Sequence, residues 1–259
     1  MKLTIEHLKA GYDSVVIIDD LSLAIPEGKI TALIGANGCG KSTLLKTICR
    51  IQPRLGGRVL LDGADVHEAD PRALAKSIAI LPRNPTAPEG LTVRELVSYG
   101  RAPYKTSFFS RTTAKDREMI DWALTETNMM EFQHRPIGAM SGGQRQRAWI
   151  AMAIAQDTEI LFLDVAHQME VLRLVQHLNK AYGKTIIMVL HELNQAARFA
   201  HCLVGMCRGQ LLYCGTPEEV FHKEMLHRVF HIDAELMSDP RTGKPMCIPY
   251  CVNESEHSV

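Results

Sequence analysis

An α/β fold built on a mostly parallel sheet is what this sequence predicts, and three observations lead there. Short apolar runs of strand type alternate with stretches of helical period. A glycine-rich turn joins the apolar run Lys29–Ile34 to a helical pattern that starts at Lys41. Of the 259 residues 46% are hydrophobic and 22% are charged, enough apolar material for a sizeable core, which excludes a disordered or fibrous chain.

Element by element, Thr4-Ile5, Val15–Ile18 and Leu21–Ile25 read as strand segments, with turns at Ala10-Gly11 and Pro26-Glu27-Gly28. Lys29–Ile34 reads as a buried strand broken at Gly35. The helix from Lys41 places Leu44, Leu45 and Ile48 on one face. Pro53 and Gly56-Gly57 signal a turn before the strand Arg58–Leu61. Residues 88–157 read mostly helical, ending in a long pattern from Gly142 to Ala155. A strand at Ile160–Leu163, a helix over 165–182, a strand at Thr185–Leu190 and a helix from His191 or Glu192 to Ala200 follow. Leu203–Met206 and Leu211–Tyr213 form a hairpin around Arg208-Gly209. Thr216-Pro217-Glu218-Glu219 opens another helix: Thr216 can cap it, Pro217 suits its first turn, and Glu219 completes a capping box.

Lys+Arg and Asp+Glu are each 29, so the net charge is zero, which argues against a nucleic-acid partner. No signal peptide and no apolar run near the ~20 residues of a membrane span are present, so the chain is expected in the cytosol unless something holds it at a membrane. The seven cysteines, Cys39, Cys49, Cys202, Cys207, Cys214, Cys247 and Cys251, contain no C-x-x-C pair. They read as reduced thiols, with a metal site at Cys247 and Cys251 as the alternative.

The sharpest motif is Gly35-Ala36-Asn37-Gly38-Cys39-Gly40-Lys41-Ser42-Thr43, which matches G-x-x-x-x-G-K-[ST] between a strand and a helix. Glycines let backbone N–H groups turn around phosphate oxygens, and the helix N-terminus adds partial positive charge. Lys41 supplies an ammonium for the outer phosphates, and Ser42 a hydroxyl for Mg²⁺. A second motif, Met140-Ser141-Gly142-Gly143-Gln144-Arg145-Gln146-Arg147, precedes an apolar-periodic helix about 100 residues later. Ser141 and the N–H groups of Gly142, Gly143 and Gln144 could form a second anion site.

Together these motifs resemble the ATP-binding cassette (ABC) family, and the resemblance runs along essentially the whole chain. It implies a P-loop NTPase (RecA-like) core with an N-terminal antiparallel β subdomain and an inserted helical subdomain at about 88–157. The cassette would occupy residues 1–236, with a short tail at 237–259. It also implies ATP and Mg²⁺ as cofactors. Tyr12 stands where the family stacks an aromatic ring on adenine. Leu161-Phe162-Leu163-Asp164 resembles the strand that ends in a Mg²⁺-supporting Asp, and His191 stands where a switch His reaches the γ-phosphate. The segments Arg94–Arg101, His191–Arg198 and Asp239–Met246 look like ATPase subunits of iron(III)-siderophore importers, to which heme and cobalamin importer ATPases are similar. The implied partners are a second ATPase subunit, as a homodimer, and membrane permease subunits. A periplasmic or surface substrate-binding protein is implied indirectly. The implied location is the cytoplasmic face of the cytoplasmic membrane, held peripherally. A DNA-repair or translation cassette would bring coiled coils or a second phosphate loop, and this chain has neither.

Two departures from the family pattern stand out. Asp164 is followed at once by Val165-Ala166-His167-Gln168, which look like the start of the next helix. About seven residues are missing, among them the Glu that polarises the attacking water. The strand Leu161–Leu163 assigns Asp164 to the first of the family's two Asp positions. His167 and Glu170 are the nearest replacements for the Glu. The second departure is Arg83 after Leu81-Pro82, where the family has Gln. A guanidinium accepts no hydrogen bond and ligates no cation, although it can pair with a phosphate. Two functions are thus expected: an importer ATPase with impaired hydrolysis, or an ATP-binding interaction module that barely hydrolyses. Ala36 and Met140 also differ from the family, at tolerant positions.

Overall fold

The computed structural model describes residues 1–13, 15–83, 85–105, 111–164 and 169–252, and divides into two compact units. One comprises Met1–Glu68 and Ile187–Val259, the other Ala69–Ile186. In chain order the first stretch holds β1 (Leu3–Tyr12), β2 (Val15–Ile25), β3 (Ile30–Ile34), α1 (Lys41–Ile48), β4 (Gly56–Leu61) and β5 (Ala64–Asp65). The second unit holds α2 (Pro71–Leu74), β6 (Ile78–Leu81), α3 (Val93–Tyr99), α4 (Ala114–Glu126), α5 (Gly142–Ala155), β7 (Ile160–Asp164) and α6 (Met169–Tyr182). β8 (Thr185–Val189) crosses the division. The chain then continues through α7 (Leu193–Phe199), β9 (Cys202–Cys207), β10 (Gln210–Gly215), α8 (Pro217–Val220), α9 (Lys223–Phe230), β11 (Ile232–Ser238) and β12 (Pro245–Val252).

In the first unit, an antiparallel sheet of order β2-β1-β4-β5 buries Leu3, Ile5, Leu8 and Ala10 of β1. A second sheet carries β10-β9-β3-β8. There β3 and β9 are parallel, and β9 and β10 antiparallel. All five residues of β3 are buried, the pattern of a parallel strand covered on both faces. Two expected turns are strand. β1 runs on through Ala10 and Gly11, and irregularities in its pairing with β2 absorb the break in alternation. Gly56 and Gly57 lie in β4, where Gly57 (φ +74°) passes so near β1 that a Cβ would stand 2.1 Å from the His7 carbonyl oxygen. Glycine punctuates a strand here because another backbone needs the space.

The C-terminal hairpin β11–β12 was not anticipated, and the expected cassette boundary after residue 236 falls inside β11. α7 anchors the hairpin. Asn194 Nδ2 donates to the Cys247 carbonyl oxygen at 2.9 Å, and the Cys247 amide donates to Asn194 Oδ1 at 2.8 Å. Arg198 Nε donates to Asp239 Oδ2 at 2.7 Å. The Arg241 amide, Thr242 and Arg198 together hold the Asp239 carboxyl down at about 2. Two separate segments singled out by resemblance are thus one interlocked contact. Cys247 is spent on packing and on this pincer. Among the described residues no group of three or more His, Cys, Asp or Glu could hold a metal, and the Cys251 side chain lies outside the description.

In the second unit β6 and β7 are parallel, pairing Ile78 with Ile160 and Leu81 with Leu163. Residues 88–157 hold α3, α4 and α5 with short 3-10 turns among them. Each helix opens on a capping box: Thr92 with Glu95, Thr113 with Asp116, and Ser141 with Gln144. The same device, expected at Thr216 and Glu219, opens α8 in the first unit. α6 starts at Met169; the expected helical turn over 165–168 lies outside the described residues.

A buried ion pair ties the helices together. Arg101 Nε donates to Asp116 Oδ1 at 2.9 Å, and both side chains are 4% exposed. The second arm of the guanidinium reaches the Ala155 carbonyl oxygen at the end of α5, and its plane lies 3.8 Å from the Tyr104 ring centroid. Burial pushes the Asp116 carboxyl up, but hydrogen bonds from Thr113 and Arg101 outweigh it and hold the group below its usual value. A depressed carboxyl contributes stability above the unfolded-state value of about 3.9 and loses it as pH falls through the folded value. Asp116→Ala leaves a buried guanidinium unpaired and is expected to cost about 3–5 kcal/mol in urea unfolding at pH 7. The gap between variant and parent should narrow as the pH is lowered below about 4; a gap of equal size at pH 3 would contradict the ion-pair assignment.

Candidate functional site

In the first unit the site grows out of the end of β3. Gly35 leaves the strand with φ +151°, and a Cβ on it would lie 2.2 Å from the Met206 carbonyl oxygen of β9. Only glycine lets the loop start this close to its neighbour strand. The Cys39 amide donates to the Ala36 carbonyl oxygen at 3.3 Å and closes the turn. The Cys39 carbonyl oxygen accepts from the Gly209 amide, at the β9–β10 turn, at 3.0 Å. At Gly38 (φ +78°) a Cβ would meet nothing within 4 Å, so that side of the loop is open. Gly40 (φ +104°) is the N-cap of α1 and supplies no side-chain cap.

α1 therefore begins with amide groups that have no intrahelical acceptor and with no acidic residue in its first turn. That end of the helix is electropositive and points at the loop. Lys41 is 5% exposed, and its ammonium donates to the carbonyl oxygens of Gly35 at 2.7 Å and Ala36 at 2.8 Å. Cys39 Sγ lies 3.5 Å from the same nitrogen. The charge is held inside the loop by groups that the loop itself offers. Asn37 and Ser42 are exposed, and Thr43 is buried. An exposed cradle of this kind, with a fixed ammonium and open amide groups, suits a multiply charged phosphate.

Tyr12 ends β1 with 41% of its surface exposed. Its ring stands against α1 through Lys46, whose ammonium lies 5.8 Å from the ring centroid and 3.5 Å from the hydroxyl oxygen. An exposed ring beside a phosphate loop can stack on a base. The Leu190 amide donates to the Leu33 carbonyl oxygen at 3.2 Å, so His191 leaves the sheet at the edge where Gly35 begins the loop. His191 is half-buried, and α7 starts two residues later.

In the second unit Asp164 closes β7, half-buried behind four buried residues. Because Leu81 pairs with Leu163 in parallel strands, Arg83 and Asp164 emerge from the same strand ends. Arg83 is exposed. Ser141 caps α5: its hydroxyl oxygen accepts from the Gln144 amide at 3.3 Å, and Gln144 Oε1 accepts from the Ser141 amide at 3.0 Å. The pairing occupies both side chains and leaves the amides of Gly142 and Gly143 at an exposed helix start.

Glu170, one of the two residues expected to stand in for the family's catalytic Glu, pairs with Arg147 of the α5 motif at 2.6 Å. His167, the other, lies outside the described residues. What the linear motifs missed is the support behind the phosphate loop, Met206 and Gly209 of the β9–β10 hairpin. The Arg208-Gly209 turn is visible in the sequence, but its partner is 170 residues away.

The ABC transporter profile matches residues 18–168. The iron(3+)-hydroxamate import ATP-binding protein FhuC of Bacillus subtilis (strain 168) is 51% identical over 264 residues, covering 99% of this chain and 98% of the relative. The achromobactin transport ATP-binding protein CbrD of Dickeya dadantii (strain 3937) is 46% identical, covering 96% and 94%. Among solved structures, cbiO1 of Clostridium perfringens, part of the ABC transporter complex cbiONQ, has a TM-score of 0.75 at 26% identity, covering 87% of this chain and 92% of that one. A chain of an ABC transporter solved in an inward-facing conformation has a TM-score of 0.82 at 24% identity, covering 96% and 97%, a likeness of fold. With the phosphate loop and the capped Ser141 motif in place, these likenesses make the chain a member of the ABC transporter family, among its ATP-binding proteins.

Proposed function

We propose that this chain is the ATP-binding subunit of an importer of iron(III)-siderophore complexes. The observation that carries the reading is the 51% identity to FhuC along nearly the whole of both chains. No described helix is long and apolar enough to cross a membrane; in this reading permease subunits would supply the path for the cargo. The chain would sit on the cytoplasmic face of the membrane against them, working with a second ATPase subunit as a homodimer. A substrate-binding protein outside the membrane would deliver the chelate.

In this reading Gly35–Thr43 wrap the phosphates, Lys41 neutralises the outer ones, and Tyr12 stacks on the adenine. Ser141–Gln144 present their helix start to the ATP held by the other subunit. His191 would contact the γ-phosphate. The Ser42 hydroxyl and, by the family resemblance, the Asp164 carboxylate each offer a hard oxygen of the kind Mg²⁺ takes, and the ion would offset negative charge on the phosphates. Lys41 has a second duty: its ammonium satisfies the Gly35 and Ala36 carbonyl oxygens and so keeps the loop in shape.

Hydrolysis is where this chain departs from its family. The match to FhuC spans 264 aligned positions but covers only about 256 residues of this chain, leaving about eight positions without a counterpart here. That agrees with a loss of about seven residues directly after Asp164. A lost water-orienting group lowers rate by about 10²–10⁴. Glu170 is engaged by Arg147, and the exposed Arg83 has no lone pair to offer a water or a cation. These observations favour the second reading, a subunit that binds ATP and holds a closed dimer but turns over slowly.

Steady-state Mg²⁺-ATP hydrolysis by the purified chain, with Lys41→Ala as the blank, separates the two. Turnover is expected at or near the blank; Lys41-dependent turnover near ~1 s⁻¹ would instead make the chain a working import ATPase. ATP binding should survive in the parent chain and fall at least tenfold in Lys41→Ala when followed by equilibrium dialysis. Reinserting seven residues that begin with Glu after Asp164 should raise turnover about a hundredfold, whereas Arg83→Gln alone should change it less than threefold. Equal effects of the two changes would move the defect to Arg83.

A further inference from the structure

Cys202 and Cys214 face each other across the β9–β10 hairpin of the first unit. The strands are antiparallel and pair Leu203 with Gly215 and Val204 with Cys214. Cys202 is therefore the diagonal neighbour of Cys214 on the same face of the sheet. The two sulfur atoms are 4.0 Å apart. Cys202 is buried at 6% exposure, whereas Cys214 is exposed. One thiol is reachable from solvent, and the other waits directly behind it. We propose that Cys214 and Cys202 form a peroxide-sensitive modification site, with Cys214 as the attacking thiol and Cys202 as the resolving one.

The surroundings support that division of labour. A hydrogen bond from Cys202 stabilises the Cys214 thiolate against a smaller opposing effect of burial, bringing Cys214 to about 7. The same contact and burial push Cys202 up, so it keeps its proton until attack. Burial also raises Cys49 and Cys247. A thiolate is the nucleophile, so at neutral pH Cys214 is better poised than thiols buried in apolar surroundings. Two sulfurs alone suit a disulfide better than a metal, since among the described residues no group of three or more metal-ligating side chains exists.

The chemistry closes with hydrogen peroxide as the one oxidant. The Cys214 thiolate attacks a peroxide oxygen; an S–O bond forms and the O–O bond breaks. Sulfur loses two electrons to the peroxide, and the released hydroxide takes the proton that the thiol gave up, leaving water and a sulfenic acid. Cys202 then attacks that sulfur. The S–S bond forms, the S–O bond breaks, and the departing hydroxide takes the Cys202 proton as a second water. The two sulfur atoms have to close from 4.0 Å to the ~2.05 Å of a disulfide.

The test is peroxide titration of the reduced full-length chain, followed by alkylation of the remaining thiols and peptide mapping by mass. The expected result is an intrachain Cys202–Cys214 disulfide, with Cys214 alkylating at pH 7 about fivefold faster than the half-buried Cys207 before oxidation. In Cys202→Ala, Cys214 should stop at the sulfenic acid and be trapped by dimedone. In Cys214→Ser the disulfide should be lost. Because Cys202 is buried, thermal unfolding verifies that its variant folds, and Cys214→Ser, altered at an exposed position, provides the independent arm. Peroxide oxidation that spares Cys214, or a first disulfide between other cysteines, would overturn the proposal.

Discussion

The close approach of β9 to the end of β3 is the constraint on which the phosphate loop depends. The Met206 carbonyl oxygen occupies the space that a side chain at Gly35 would need. The β9–β10 turn then returns through Gly209 to hold the Cys39 carbonyl oxygen. The Cys39 amide closes the turn on the Ala36 carbonyl oxygen, and a loop that presents its other amides to a ligand needs further support from outside. Here the neighbouring hairpin and the Lys41 ammonium supply the support, satisfying loop carbonyls from behind and from within. The side at Gly38 is left open, which suits the phosphate-binding role proposed for the loop.

The second unit solves a different problem. Three of its helices, α3, α4 and α5, follow irregular connections, and each begins with a reciprocal cap. At α5 that cap uses the same Ser141 and Gln144 that the family resemblance marks as functional, so in the proposed reading helix initiation and ligand presentation would share residues. Asp116 likewise closes its own capping box and pairs with Arg101, tying the start of α4 to the end of α5. A buried guanidinium is tolerable there because the carboxylate, a carbonyl oxygen and an aromatic face all meet it.

The proposed loss of residues after Asp164 places the functional question at one position. Phosphate binding needs positive charge and open amides, which the Lys41 ammonium and the uncapped start of α1 can supply. Hydrolysis needs a group aimed at one water, and positioning of that kind does not tolerate loss of the peptide that carries it. In the proposed reading, binding and turnover are therefore separable by their physical requirements. ATP-driven closure of a dimer would draw on the first, and its reopening on the second.

Much of the molecule was legible in the amino-acid order because its signals are local. The phosphate loop is nine consecutive residues, the cap at Thr216 is a four-residue pattern, and the all-apolar β3 announces a covered parallel strand. Tertiary structure alone decided the remainder. Gly57 reads as a turn, and lies instead in β4, where the paired neighbour β1 leaves no room for a side chain. Asn194 and Arg198 have no visible purpose until the C-terminal hairpin closes on them from more than 40 residues away. Glu170 reads as a free carboxylate until Arg147 takes it. Short-range sterics and hydrogen bonding determine elements, whereas partners distant in sequence determine what each exposed or buried group is left free to do.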